Sequence, residues 1–184
     1  MTAPQPWLVV VDPQRIFADP DSPWAAPRFA EIVAPIHHLA MALPERTVVT
    51  RWVPGQDRTG SWAAYFDHFP FADRPDDDPM FALVREAEGL THRPTVNAPT
   101  FGKWGDELEA VTGPTPHLIL TGVSTDCCVI STALPAVDAG CQVTVVSDGC
   151  AGSSDENHAA ALKVMGLYTP QLAVRTSGEV LAEL

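Results

Sequence analysis

Two adjacent thiols, Cys127 and Cys128, open a segment whose residue types suit nucleophilic chemistry. The apolar run 118–121 ends at Gly122, a polar turn follows, and apolar residues then recur every four positions, as in a helix. The first N–H groups of a helix have no partner inside it, so a thiolate there is stabilised and the pKa of the thiol falls. The spacing alone does not choose between the two cysteines, and a cysteine after a strand also often packs as a small hydrophobe.

An acid and a lysine follow two other predicted strands. Asp12 comes after the apolar run 7–11, and Lys103, one of only two lysines, lies in a glycine-flanked loop after the weak strand 94–98. Because the carboxyl ends of parallel strands share one edge of a sheet, we expect Asp12, Lys103 and Cys128 to meet in one crevice. The alternatives are that Asp12 only caps a turn and that Lys103 is an exposed surface lysine.

These three groups together predict acyl transfer to water. The Lys103 ammonium would hold the Cys128 thiolate by charge and lower its pKa. The Asp12 carboxylate would take the thiol proton and pass it to the leaving group. Backbone N–H groups around Cys128 would hold the oxyanion of a tetrahedral intermediate. Amide hydrolysis is the reaction that this set favours.

The elements that must position these groups alternate along the chain. Predicted strands at 7–11, 47–50, 94–98, 117–121, 142–146 and 172–174 are separated by helical patterns, including one from Asp76 to Gly89. This alternation predicts an α/β fold, a single domain over residues 1–184 with a doubly wound, mostly parallel sheet. Neither a Gly-x-Gly-x-x-Gly motif nor a P-loop is present, so binding of a dinucleotide or of ATP is not supported.

The composition limits the classes of binding partner and the cellular compartment that we expect for this protein. The chain of 184 residues has a net charge of −12, which argues against nucleic acid and against an anionic membrane surface as partners. It begins without a signal peptide, which predicts a cytoplasmic protein with reduced thiols. The four cysteines do not have the spacing of a zinc site.

Three stretches of the sequence resemble motifs of the isochorismatase-like cysteine hydrolases, the family that includes nicotinamidase and N-carbamoylsarcosine amidohydrolase. They are Val-Val-Asp-Pro-Gln at 10–14, Gly-Val-Ser-Thr-Asp-Cys-Cys-Val at 122–129 and Val-Val-Ser-Asp-Gly-Cys-Ala at 145–151. The resemblance covers nearly the whole chain and implies that Asp12 is the base. It also implies that Cys128, which directly precedes Val129, is the nucleophile, and that the peptide bond between Val123 and Ser124 is cis.

The sequence departs from the family pattern at two places. The family lysine would fall on Asn97 or Ala98, so Lys103 is expected to reach the same point from a rearranged loop. The Asp and two His that hold a metal in nicotinamidases have no counterpart in the stretch 50–54, so we expect no metal or cofactor and disfavour nicotinamide. Family members that cleave isochorismate tend to lack the cysteine, so Cys128 argues against that substrate. The resemblance further implies a homodimer or homotetramer.

Aromatic residues and one arginine near these strand ends are candidates for binding the substrate. The long stretch 55–74 has no strong secondary-structure pattern and is predicted to form a lid, a pocket wall or a subunit contact. A hydrophobic cluster under a loop is the alternative. The full set of candidates, which suits a small planar amide or acid, is Arg51, Trp52, Trp62, Tyr65, Phe66, Trp104, Val123, Ser124 and Cys127.

The predicted function is hydrolysis of a small amide through a thioester at Cys128. Two other classes stay open at this point. One is a non-catalytic binding or assembly module, in which Lys103 would point to solvent. The other is a thiol redox protein that uses Cys127 and Cys128, since neighbouring cysteines form disulfides that are easily reduced.

Overall fold

The computed structural model describes residues 6–55 and 57–184, and a six-stranded, all-parallel sheet lies at its centre. The strands are β1 (Trp7–Val11), β2 (Thr47–Trp52), β3 (Val96–Ala98), β4 (His117–Val123), β5 (Gln142–Ala151) and β6 (Leu172–Arg175). Their order is β3-β2-β1-β4-β5-β6, so the chain winds outward from β1 on one side and from β4 on the other. In such sheets the crevice between the two central strands, at their carboxyl ends, is where a ligand binds. The predicted fold class is confirmed.

The central strands form where the sequence has short, uninterrupted apolar runs. All five residues of β1 are buried, as are six of the seven residues of β4. Strands covered by helices on both faces need apolar side chains at every position, because neither face meets water. Branched residues such as Val9, Val10 and Ile119 also fit the pleated backbone well.

Helices cover both faces of the sheet. They are α1 (Arg15–Ala18), α2 (Phe29–Ala42), α3 (Ser61–His68), α4 (Asp106–Thr112), α5 (Ile130–Asp138), α6 (Asp155–Met165) and α7 (Ser177–Leu181). Successive side chains of β1 point to opposite faces, so Leu8 and Val10 pack with α2 and α7, whereas Val9 and Val11 pack with α5 and α6. No helix in the described part of the chain combines the length and the hydrophobicity that crossing a membrane requires.

Three segments differ from their predicted form. The stretch 55–74 contains a regular helix, α3, and the predicted helix from Asp76 to Gly89 is wrong, because that stretch holds only short 3-10 turns at Pro79–Phe81 and Arg85–Ala87. The segment after β4 begins with a single π-type turn, Thr125–Val129, before α5 continues as an α-helix. A π-turn of this kind is frequent at functional sites.

Gly122 lets the two central strands approach each other at their carboxyl ends. Its φ is +102°, and a Cβ placed on it would lie 2.1 Å from the Val11 carbonyl oxygen. Gly122 also lies at an irregularity in the pairing of β4 with β5, where the register shifts after Leu120. Only glycine fits this position, because both the backbone conformation and the space exclude a side chain.

Candidate active site

Asp12 stands at the carboxyl end of β1 and is fully buried. Its backbone φ is +48°, a left-handed conformation that Asp tolerates better than most residues. The Thr50 hydroxyl, from the neighbouring strand β2, donates a 2.7 Å hydrogen bond to Asp12 Oδ1 and accepts one of 3.2 Å from the Asp12 N–H. Backbone and side chain of Asp12 are therefore both held by the strand beside it.

Lys103 approaches Asp12 from the loop between β3 and α4. Its Nζ lies 3.1 Å from Asp12 Oδ2, and both side chains are excluded from solvent. The ammonium also donates hydrogen bonds to the carbonyl oxygens of Thr100 (2.7 Å) and Phe101 (3.1 Å). Apart from the ion pair, Asp12 Oδ2 has no hydrogen-bond partner in the described residues. This oxygen is therefore the acceptor that remains available for a proton.

The loop that carries Lys103 packs closely against the start of α5. A Cβ on Gly102 would lie 2.3 Å from the Ser131 carbonyl oxygen, so only glycine permits this approach. Pro135, four residues further along α5, has no N–H to bond that carbonyl. The Thr132 hydroxyl accepts from the Lys103 N–H at 2.9 Å and donates to the Cys128 carbonyl at 2.7 Å. Thr132 thus joins the lysine loop directly to the cysteine turn.

Cys128 lies in the π-turn that follows β4 and is 3% exposed. The Val123–Ser124 peptide bond before the turn is cis. The Ser124 carbonyl accepts hydrogen bonds from the N–H groups of Cys127 (3.0 Å) and Val129 (3.1 Å), which holds the turn closed. All four cysteines of the chain are described, and none forms a disulfide.

The electrostatics of the cluster differ from the sequence-based expectation. A hydrogen bond with Cys127, burial and the nearby Asp12 carboxylate raise the pKa of Cys128 well above its usual range, and the Lys103 charge offsets this only in part. Burial also raises the pKa of Asp12, against the lowering effects of the Lys103 charge, of the Thr50 hydrogen bond and of the nearby Cys128 thiol. The prediction of a lowered pKa for Cys128 is therefore wrong, because the hydrogen bond with Cys127, burial and Asp12 together outweigh the Lys103 charge. The resting thiol keeps its proton and needs a base.

A cavity of about 230 Å³ opens above the thiol. Aromatic rings from three separate segments form most of its wall. The lining residues are Phe17, Pro23, Trp24, Ala25, Trp52, Tyr65, Phe101, Ser124, Asp126, Cys127, Cys128 and Ser153. A small concave site of this kind, with reactive groups at its floor, is typical of pockets for small molecules.

Four of the predicted binding residues line this cavity. They are Trp52, Tyr65, Ser124 and Cys127. Trp52 is held at the end of β2 by Gln14, whose side-chain amide accepts from the Trp52 N–H at 2.7 Å and donates to the Trp52 carbonyl at 2.8 Å. The Trp52 indole N–H in turn donates to the Pro99 carbonyl at 3.2 Å, which connects β2 to the lysine loop.

The structure does not place the other five predicted binding residues in the cavity wall. Arg51 is turned away and donates to the Phe81 carbonyl at 3.2 Å. Trp62 and Phe66 form a second layer, in which Trp62 packs on Phe101 and Phe66 stacks on Trp52. The last two, Trp104 and Val123, pack in the hydrophobic core: Trp104 belongs to the cluster on the α5 and α6 side and Val123 is fully buried on the opposite face.

Sequence reasoning missed one of the two tryptophans that line the cavity. Trp24 lies in the Pro- and Asp-rich loop before α2, and its ring contacts those of Phe17, Trp52, Tyr65, Phe69 and Phe71. A lone tryptophan in an otherwise polar loop is the signal that could have drawn attention to it. Asp126 and Ser153, at the other side of the cavity, had no such signal.

Residues at the start of α6 form hydrogen bonds with the π-turn that carries Cys128. The Asp126 carboxylate accepts from the Ser153 N–H at 2.8 Å and from the Ser153 hydroxyl at 2.7 Å. The Thr125 hydroxyl and His158 Nδ1 are 2.8 Å apart and share a hydrogen bond. These contacts fix two residues of the turn that presents Cys128.

The residues present do not fit a metal site of the kind that the resemblance associates with nicotinamidases. Over residues 6–55 and 57–184, no three His, Cys, Asp or Glu side chains converge as metal ligands would. The resemblance places such ligands after β2. There Trp52 lines the cavity instead, and Arg51 donates a hydrogen bond to the Phe81 carbonyl.

Several solved structures share this fold at low sequence identity. A cysteine hydrolase from Pseudomonas syringae pv. phaseolicola 1448A has a TM-score of 0.79 at 18% identity, over 99% of this chain and 97% of its own. An isochorismatase-like hydrolase from Alkaliphilus metalliredigens has a TM-score of 0.74 at 16% identity, over 96% of each chain. A nicotinamidase from Bacillus subtilis has a TM-score of 0.68 at 18% identity, over 91% of this chain and 97% of its own.

The family assignment comes from the sequence itself. A comparison with curated proteins finds no significant match. A model of the isochorismatase domain family, however, matches residues 6–177. Because that match spans nearly the entire chain and agrees with the observed sheet, this protein belongs to the isochorismatase-like hydrolase family.

Proposed function

We propose that this protein is a cysteine-dependent hydrolase that cleaves a small amide through a thioester at Cys128. The observation that carries the proposal is the buried ion pair between Asp12 and Lys103, which lies beside a thiol at the floor of a cavity. A buried carboxylate with one uncommitted oxygen is a suitable base for that thiol. The aromatic walls suit a small organic substrate rather than a polymer.

In the first step the Cys128 sulfur attacks the carbonyl carbon of the amide while its proton passes to Asp12 Oδ2. The carbonyl oxygen becomes negatively charged and needs a hydrogen-bond donor. We assign this role to the Cys128 N–H, because the N–H groups of Cys127 and Val129 already donate to the Ser124 carbonyl. Asp12 then gives the proton to the nitrogen, the C–N bond breaks, and ammonia or an amine leaves.

In the second step a water molecule attacks the thioester. Asp12 takes a proton from that water and returns it to the Cys128 sulfur as the carboxylic acid leaves. Lys103 supports both steps by its charge, which favours the ionised form of a carboxylate that burial alone would neutralise. The three groups therefore act as a unit, so the losses caused by removing each of them should not be additive.

The burial of Lys103 argues against the alternative of a non-catalytic binding or assembly module. That alternative needs a lysine that points to solvent, whereas the Lys103 side chain is fully buried and paired with Asp12. Such a buried charge pair is costly to assemble and is commonly found at functional sites.

The test is a screen of small amides with purified protein, followed by intact-mass measurement after rapid acid quenching. We expect wild-type protein to release ammonia or amine and to carry an acyl group on Cys128. Cys128→Ala should lose at least about 1,000-fold in kcat/KM, because no covalent intermediate can form.

Cys127→Ala is the matched control for the neighbouring thiol. It should keep the acyl-enzyme at Cys128 and retain measurable turnover. An acyl group on Cys127, or activity that survives Cys128→Ala but not Cys127→Ala, would contradict the assignment. Reversible formation of a Cys127–Cys128 disulfide, without any hydrolysis, would instead support the redox alternative.

A further inference from the structure

The cavity above Cys128 has an uneven distribution of charge. Of its twelve lining residues, five are aromatic, and Asp126 is the one that carries a formal charge at neutral pH. Lys103 does not line the cavity and is paired with Asp12. A ligand in this cavity therefore meets aromatic rings and one carboxylate, and it meets no positive side chain among the described residues.

The Asp126 carboxylate is held in place but not neutralised. Its two oxygens accept hydrogen bonds from the N–H and the hydroxyl of Ser153, both of them neutral donors. Within residues 6–55 and 57–184, no Lys, Arg or His lies within salt-bridge distance of it. Asp126 is only partly buried and lines the cavity, so its carboxylate is accessible to a ligand there.

The aromatic residues line the same cavity as this carboxylate. The Trp24 ring meets the Trp52 ring at 73° with centroids 5.4 Å apart, and it meets the Tyr65 ring at 39° with centroids 5.8 Å apart. The rings therefore pack against one another, and together with Phe17 and Phe101 they form the aromatic part of the cavity wall. Aromatic rings attract cations through the negative charge of their faces, and clusters of such rings bind quaternary ammonium groups.

We propose that the substrate is a small amide that carries a positive charge, which binds between the aromatic walls and Asp126. This inference rests on the proposed hydrolase function for the amide group, but the recognition of the cation stands on the cavity alone. Asp126 and Cys128 are two residues apart in the same turn. The charge of the substrate should therefore lie close to the amide carbonyl, as in an α-ammonio amide. Substrates with a carboxylate would be repelled by Asp126.

The experiment uses two probes of the same shape that differ only in charge. One is 2-(trimethylammonio)acetamide. The other is its carbon analogue, 3,3-dimethylbutanamide, in which a carbon atom replaces the charged nitrogen. Binding is measured by calorimetric titration of the Cys128→Ala variant, which cannot turn the probes over. We expect the cation to bind about tenfold more tightly than the neutral probe, from the aromatic and carboxylate contributions together. Malonamate, which is anionic, should bind more weakly than either.

Three further variants in the Cys128→Ala background identify the source of the preference. Asp126→Asn should remove most of it while keeping an acceptor for the Ser153 N–H. Ser153→Ala removes a hydrogen bond to Asp126 but not its charge, so the preference should survive. Asp138→Asn makes the same change of charge at the exposed end of α5 and should leave binding unaltered. Thermal unfolding of each variant verifies that it is folded.

Equal binding of the cation and its neutral analogue, or no binding of the cation, would overturn the proposal. A preference that Asp126→Asn leaves intact would overturn the role of this carboxylate. Hydrolysis is measured separately with wild-type protein. Tight binding of the cation without turnover of any amide would refute the hydrolase function alone, whereas turnover of neutral amides without a cation preference would refute the present inference alone.

Discussion

Asp12 must remain ionised in a place that disfavours charge. Burial raises its pKa, and the Lys103 ammonium is the largest influence in the opposite direction. A base whose folded-state pKa is raised loses its active, ionised form as the pH falls through that raised value. The acid limb of kcat/KM should therefore lie at higher pH than the ordinary pKa of an aspartate, 3.8, would place it.

Replacing the lysine should move this limb further. In Lys103→Met the Asp12 carboxylate loses the positive charge that stabilises it most. The pKa of Asp12 should therefore rise further, and the acid limb of kcat/KM should shift to higher pH. We also expect kcat/KM at neutral pH to fall by about 100-fold or more, a typical loss for one preorganised electrostatic group. The measurement is the pH dependence of kcat/KM for wild type and variant. An unshifted acid limb would mean that Lys103 does not control the ionisation of Asp12.

Thr50 allows a milder version of the same test. Thr50→Val keeps the shape of the side chain but removes the 2.7 Å hydrogen bond to Asp12 Oδ1, so the acid limb should again move to higher pH. Thr121→Val on β4 is the matched control, because its hydroxyl donates to the Val9 carbonyl and not to Asp12. If both valine variants shift the limb equally, the effect comes from packing rather than from the hydrogen bond.

At the scale of the elements, the position of Lys103 depends on how closely its loop approaches α5. Gly102→Ala would place a Cβ 2.3 Å from the Ser131 carbonyl oxygen, so the loop has to move away and carry the ammonium with it. Because misplacement of a catalytic group by about 1 Å can reduce the rate about 100-fold, we expect a loss of that order in kcat/KM. Steady-state kinetics on the amide found in the screen would measure it.

Gly105, at the other end of the same loop, provides the control. A Cβ there meets nothing within 4 Å, so Gly105→Ala should leave kcat/KM close to that of wild type. Equal losses in both variants would indicate that the loop responds to any loss of glycine flexibility, and the specific contact with Ser131 would then not explain the position of Lys103.

At the scale of the whole molecule, Gly122 determines whether β1 and β4 can close together at the site. Gly122→Ala combines a strained φ of +102° with a 2.1 Å contact to the Val11 carbonyl, and the two central strands would have to separate. We expect Tm to fall by about 10 °C, in line with a strong backbone clash in a chain of this length. Gly178→Ala, in α7 with open space around it, should change Tm by less than about 2 °C. A similar Tm for both variants would contradict this account of Gly122.

The oligomeric state also belongs to this scale. The family resemblance predicts a homodimer or homotetramer, and this stays a prediction. Light scattering of the eluting peak in size-exclusion chromatography would give the mass directly, to be compared with 19.8 kDa for one chain. A mass of one chain at micromolar concentration would contradict it.

Local sequence pattern was sufficient to predict the sheet and the proximity of Asp12, Lys103 and Cys128. Short apolar runs such as 7–11 and 118–120 are typical of strands buried on both faces, and their alternation with helical patterns allowed the α/β fold to be predicted. The parallel arrangement then brings the ends of these strands to one edge, which is why Asp12, Lys103 and Cys128 could be expected together.

The directions of the pKa shifts and the composition of the cavity wall depend on contacts between distant parts of the chain. The pKa of Cys128 is raised by its hydrogen bond with Cys127, by burial and by Asp12, and none of these three could be inferred from the position of the thiol at a helix start. Trp24 lines the cavity and Trp104 does not, because loop packing and not sequence composition sets which rings face a ligand. Loops have no periodic pattern to reveal their direction, and the residues that select a substrate lie on them.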